Sequence, residues 1–200
     1  MGISRTVFWG GVFLCMWNIF SLKADNGWKL VWSDEFDGPE IDPTNWSLET
    51  GRGTGGNWGT GQVDYSTSLP QNICIEDGIL KLTLRNDGAP DGDKKRPYTS
   101  ARLVSQGKRE FMYGRIEARL KGISGQGLGF AFWLLGVDTK TVGWPKCGEI
   151  DIAEITGRTP GFNIGTAHYK ESWGHGSNQG RYTLPENGSF EDDFHVFGIE

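Results

Sequence analysis

Cysteine is scarce in this chain, three residues in 200, and a scaffold stapled by several disulfides is thereby excluded. Cys15 lies in an apolar N-terminal stretch, which leaves Cys74 and Cys147, a pair better read as isolated thiols than as a disulfide. Cys147 stands two residues before Glu149 but has no histidine near it in sequence, so nothing local would lower its pKa for nucleophilic work. Basic residues form no stripe. Lys and Arg number 20 against 25 Asp and Glu, a net charge of −5, which argues against nucleic acid or an anionic membrane as partner. The short cluster Lys94-Lys95-Arg96 reads as a solvated loop. There is no internal repeat and no low-complexity linker. The most apolar run, Val7 to Phe20, is broken by glycines and Asn18 and is too short for a comfortable membrane span. With Arg5 before it and Ala24 after it, this run reads as a secretory signal peptide over residues 1–24. The mature chain is then expected to begin near Asp25, to be secreted (extracellular or periplasmic) and to have no membrane partner.

Glycine and tryptophan are abundant instead, at 31 and nine residues. Much Gly among aromatic and β-branched segments predicts short strands joined by tight turns, hence an all-β fold in one substantial domain. Strands are expected at Trp28–Trp32, Ile79–Arg85, Ser100–Gln106, Phe111–Lys121, Phe130–Leu135, Phe162–Tyr169 and Phe194–Ile199. Many short antiparallel strands at this spacing fit a two-sheet sandwich. Thr50 to Gly61 and Asn86 to Pro97 read as loops, the first tipped by Trp58. The tryptophans exceed what a core of this size needs, and sugar-binding proteins use such rings as stacking planes.

The densest signal is Glu149-Ile150-Asp151-Ile152-Ala153-Glu154. A strand alternates faces, so Glu149 and Asp151 share one face while Ile150 and Ile152 share the other. In a regular strand Glu154 would fall on the apolar side, where an unpaired carboxylate costs several kcal/mol. One extra residue, a β-bulge near Ala153, restores the parity and predicts three carboxylates converging on one face. A solvated edge strand would also carry alternating acids. A calcium site is disfavoured, because it wants Asp, Asn and Gly in a loop rather than strand-forming isoleucines. Paired carboxyls flanking a scissile oxygen are what glycosidic cleavage requires.

The surroundings of that run carry a resemblance. Trp32-Ser33-Asp34-Glu35-Phe36, Tyr98-Thr99-Ser100-Ala101-Arg102-Leu103, Tyr113-Gly114-Arg115-Ile116-Glu117-Ala118-Arg119, Ala131-Phe132-Trp133-Leu134-Leu135-Gly136 and Gly143-Trp144-Pro145 lead in order into Gly148-Glu149-Ile150-Asp151-Ile152-Ala153-Glu154. The set resembles glycoside hydrolase family 16, in particular its laminarinase branch of endo-β-1,3-glucanases, over nearly all of residues 25–200. The resemblance implies a curved two-sheet β-jelly-roll sandwich with a concave substrate cleft. It implies retaining hydrolysis with Glu149 as nucleophile, Glu154 as general acid/base and Asp151 assisting both. In that mechanism the two Glu carboxyls lie about 5–5.5 Å apart, and three clustered carboxyls hold at least one proton near neutral pH. By the same resemblance Trp133 and Trp144 stack on sugar, Arg102 bonds the sugar on the non-reducing side of the cut, and His168 faces the cleft. A salt-bridged strand arginine and a structural histidine are the plainer readings of those last two. The partner implied is a β-glucan polysaccharide met by a monomer, with no catalytic cofactor and no catalytic metal, though some relatives carry a structural calcium. Mixed-linkage glucan or a galactan such as agarose are alternative substrates, and a non-catalytic glucan-binding protein is the alternative of another class. The pattern is departed from at Thr60-Gly61-Gln62 and at Gly129-Phe130, which bears on sugar contacts away from the acidic run. Family members continue beyond the segment Phe194–Glu200, so a C-terminally incomplete domain is expected.

Overall fold

The computed structural model describes residues 27–200. The expected signal peptide, with Cys15, lies outside the described residues. Among the described residues thirteen strands follow one another: β1 (Ser47–Glu49), β2 (Tyr65–Ser66), β3 (Ile73–Glu76), β4 (Ile79–Leu82), β5 (Arg85–Asn86), β6 (Tyr98–Ser100), β7 (Arg102–Val104), β8 (Ile116–Leu120), β9 (Gly129–Leu135), β10 (Glu149–Thr156), β11 (Phe162–Glu171), β12 (Gly174–Thr183) and β13 (His195–Ile199). A single helical turn, α1 (Thr139–Val142), stands between β9 and β10. The largest sheet has the order β12-β11-β10-β9, antiparallel throughout. Smaller ladders are β13-β8, β1-β7, β3-β4 and β2-β6-β5. One pair departs from the expected antiparallel pattern, since β2 runs parallel to β6.

The core lies between the large sheet and the β8–β13 ladder. Ile152, Ala153 and Ile155 of β10 are buried with Phe197 of β13 and Phe190, and Phe130, Phe132, Leu134, Ile116 and Leu120 pack around them. Phe197 is wedged between Phe130, at 6.5 Å and edge-on, and Phe190, at 5.1 Å. Full burial of one such ring contributes about 1.5–3 kcal/mol, so this interface supplies much of what joins the two layers. The run Phe130–Leu135, nearly continuous in apolar residues, sorts cleanly by parity: Phe130, Phe132 and Leu134 enter the core, while Ala131, Trp133 and Leu135 stand on the opposite face. It is an outer strand of the four-stranded ladder.

The expected set of strands needs correction in several places. Trp28–Trp32 is no strand, because no described segment pairs with it; Leu30 and Val31 are 64% and 78% exposed, and only Trp32 finds partners, against Trp46 and Phe111. The expected strand Phe111–Lys121 begins only at Ile116, since Met112 and Tyr113 have no sheet to lie on and are exposed. Gly174–Thr183, which carries no apolar alternation, forms a ten-residue strand. Cys74 and Cys147 are free, half-buried thiols, as expected. Among the described residues no helix is long and apolar enough to cross a membrane.

Candidate active site

The acidic run forms β10, and its register reveals the extra residue. Glu149 faces Leu135 of β9 and His168 of β11, and Asp151 faces Trp133 and Thr166. The next step on β9 takes one residue and on β10 two, so that Ala153 faces Phe132. Against β11, Asp151 to Glu154 spans the interval from Thr166 to Ile164. This is the bulge expected near Ala153. It sends Ile152, Ala153 and Ile155 into the core at 7%, 0% and 1% exposure and returns Glu154 to the face of Glu149 and Asp151.

A bulge leaves backbone groups without ladder partners, and one side chain takes up two of them here. The Asn163 amide donates to the Ile152 carbonyl at 3.2 Å and its oxygen accepts from the Glu154 N–H at 3.1 Å. Asn163→Ala should therefore cost about 1–3 kcal/mol, the expense of stranding such groups, and should lower activity with it. Denaturant unfolding checks this, and a variant as stable as the wild type would show that the bulge holds without the clasp.

Glu149 accepts a hydrogen bond from Trp144 Nε1 at 2.5 Å. Trp144 is placed by the turn after α1, where Gly143 N–H bonds the Thr139 carbonyl at 2.9 Å and Cys147 N–H bonds the Gly143 carbonyl at 3.0 Å. Glu154 accepts a long hydrogen bond, 3.4 Å, from Thr166 Oγ1. Between them Asp151 is 5% exposed, with Oδ2 at 3.0 Å from His168 Nε2. Burial first, and then the neighbouring charges of Glu149 and Glu154, push the Asp151 carboxyl from 3.8 up to about 7, against the opposing pull of His168. A hydrogen bond to Glu149 favours its protonated form further. Its surroundings therefore favour the protonated form of Asp151 up to about pH 7.

That shift has a definite sign in stability. Folded Asp151 binds its proton more tightly than unfolded Asp151, so stability falls as pH rises from about 4 to about 7 and is level beyond. Asp151→Asn has no such titration, and its amide still donates to one side and accepts from the other. The melting temperature of the variant relative to wild type should climb across that window and then hold. A difference that stays constant with pH would contradict the assignment.

On the β9 side of the carboxylates, Trp133 and Trp58 flank the Arg102 guanidinium at 4.8 and 4.6 Å from the ring centroids. Arg102 Nε also pairs with Glu49 at 2.6 Å, across the β1–β7 ladder. The salt-bridged reading of Arg102 therefore holds, and the pair through Nε fixes the side chain beside Trp133. Trp58 sits over Gly53, whose φ of 60° suits glycine and where any Cβ would collide with the indole. On the other side lie His168 and, one strand further, His175 of β12, whose Nε2 is 2.8 Å from His168 Nδ1. Sequence reasoning missed Asn163, Thr166 and His175. Thr166 could have been found from parity with His168. His175 could have been found by reading Ser172-Trp173 as the two-residue tip of a hairpin, which folds it back toward His168.

The described residues include no group of three or more His, Cys, Asp or Glu side chains able to hold a metal ion. The chemistry on offer is proton transfer and nucleophilic attack by carboxyls on one face, beside aromatic planes of the kind on which sugars stack. Residues 58–200 match the model of glycosyl hydrolases family 16. The chain is 33% identical to glucan endo-1,3-beta-glucosidase A1 of Niallia circulans across 86% of its own length and 27% of that protein. It is 37% identical to the beta-glucanase of Rhodothermus marinus across 98% of its length and 68% of that protein. The catalytic domain of an endo-1,3-beta-glucanase (laminarinase) from Thermotoga petrophila RKU-1 superposes with a TM-score of 0.78 at 41% identity, over 86% of this chain and 69% of that one. The chain belongs to glycosyl hydrolases family 16 and shares the jelly-roll fold of the laminarinase structure on which it superposes. It spans about a quarter of the Niallia protein and about two-thirds of the other two relatives.

Proposed function

We propose that this protein is a secreted, retaining endo-β-1,3-glucanase acting on laminarin-type glucan through a covalent glycosyl-enzyme. The observation that carries the reading is the bulged strand, which sets Glu149, Asp151 and Glu154 on one face while burying the residues between them. In the first step Glu149 attacks the anomeric carbon, the bond to the leaving sugar breaks, and the Glu154 proton passes to the departing oxygen. In the second, water attacks the same carbon, Glu154 takes its proton, and the ester to Glu149 breaks with configuration retained. Trp144 Nε1–H and Asp151 steady the Glu149 carboxylate, which attacks as the nucleophile in the first step and departs as the leaving group in the second. Trp133 and Trp144 offer planes for sugar, and Arg102 offers guanidinium donors on the non-reducing side. No cofactor enters any step.

Product analysis on laminarin, lichenan and agarose tests the reading. Oligosaccharides released from laminarin, with the newly formed reducing end initially in the β configuration by NMR, are expected. No release from laminarin overturns the substrate, and an initially α product overturns the double displacement.

A further inference from the structure

The Glu149–Asp151 pair is enclosed by a ring of contacts that the proposed mechanism does not use in full. Trp144 donates to Glu149, and its ring lies 4.7 Å from that of His175. His175 Nε2 meets His168 Nδ1 at 2.8 Å, and His168 Nε2 meets Asp151 Oδ2 at 3.0 Å. His175 therefore touches both supports, the indole that holds Glu149 and the imidazole that holds Asp151. Its place on the sheet is set by the β11–β12 register, where it faces Lys170 on the strand that carries His168.

A neutral imidazole carries a single N–H, and which nitrogen holds it is set by the partner of the other. If His168 carried its proton on Nδ1, the bare Nε2 would compete with Glu149 for the proton of Asp151. If His168 carries it on Nε2, that N–H donates to Asp151 and the Asp151 proton remains for Glu149. The second arrangement calls for a donor at Nδ1, and His175 Nε2, 2.8 Å away, is the atom placed to supply one. The geometry points to His175 as a positioning residue that locks His168 into the tautomer donating to Asp151 and so keeps the Asp151–Glu149 contact in working order. This rests on the function proposed above.

Two variants separate a donor from a mere filler. His175→Gln keeps an N–H donor and loses the ring; His175→Phe keeps a ring against Trp144 and loses the donor. On laminarin, kcat of H175F should fall about tenfold, the worth of one hydrogen bond, with KM changed less than about twofold, and H175Q should stay within about threefold of wild type. In 15N-histidine-labelled protein the His168 proton should sit on Nε2 in wild type and H175Q and divide between both nitrogens in H175F. Equal or higher kcat in H175F than in H175Q, or an unchanged His168 tautomer in H175F, overturns the proposal. Should wild type leave laminarin untouched, the functional reading fails, and the tautomer comparison alone still decides the role of His175.

Discussion

Glu149→Ala is expected to lower hydrolysis of β-1,3-glucan by about 10⁴-fold or more, the scale on which loss of a covalent nucleophile is felt. Under the proposed mechanism the reason is specific. The chain retains the acid that protonates the leaving oxygen but has nothing on the opposite face of the anomeric carbon to take the glycosyl group. The shorter alanine also opens space where the carboxylate stood, beside Trp144 Nε1–H, which loses its acceptor. A small anion such as azide fits that space and is met by that donor. Added azide should therefore restore turnover of an activated aryl β-glucoside and yield an α-glycosyl azide, since one displacement inverts the configuration. Glu149→Gln should keep oligosaccharide binding while losing turnover, because the Trp144 hydrogen bond survives in the amide. Full activity in either variant, or a β-glycosyl azide from Glu149→Ala, would move the nucleophile to another residue.

How far such a site is legible in a sequence depends on whether its cause is local. The bulge in β10 was legible because the cost of turning Glu154 into the apolar face exceeds the cost of one unpaired residue, and both costs are written in six letters. The partner that satisfies the bulge, Asn163, was not, because it reaches the site through the β10–β11 pairing. The strand β12 was invisible for a related reason. On one face it carries Gly174, Gly176, Asn178 and Gly180, and on the other His175, Ser177, Gln179 and Arg181, so no apolar alternation marks it. Its ladder with the full length of β11 is what makes it a strand. The converse holds for Trp28–Trp32, apolar enough to read as a strand yet lacking a partner among the described residues. Arg102 shows that two readings need not exclude each other: Glu49 holds it at Nε, and that restraint is what keeps its guanidinium between Trp58 and Trp133.

Glu154→Ala should separate the two halves of the reaction. Loss of a general acid costs about 10²–10⁴-fold where the leaving group needs its proton, so hydrolysis of the polymer should fall by that amount. An aryl glycoside whose phenolate leaves unaided should still glycosylate Glu149 at close to the wild-type rate. The same variant lacks the base that activates water, so the glycosyl-enzyme should accumulate, visible as a burst of phenolate and as a covalent mass adduct on the peptide bearing Glu149. Azide needs no base and should relieve the block, giving a β-glycosyl azide through two displacements. Equal losses on polymer and aryl glycoside, with no burst, would remove Glu154 from this role. The prediction also bears on the bulge. Glu154 has its backbone N–H held by Asn163 and its carboxyl only loosely engaged, at 3.4 Å from Thr166, whereas Glu149 is held at 2.5 Å by Trp144. A nucleophile gains from being fixed on one carbon, while an acid/base must serve the leaving oxygen first and water afterwards. The unequal restraint of the two glutamates follows that division of labour, with the main chain of Glu154 anchored at the bulge and its carboxyl left free to serve both.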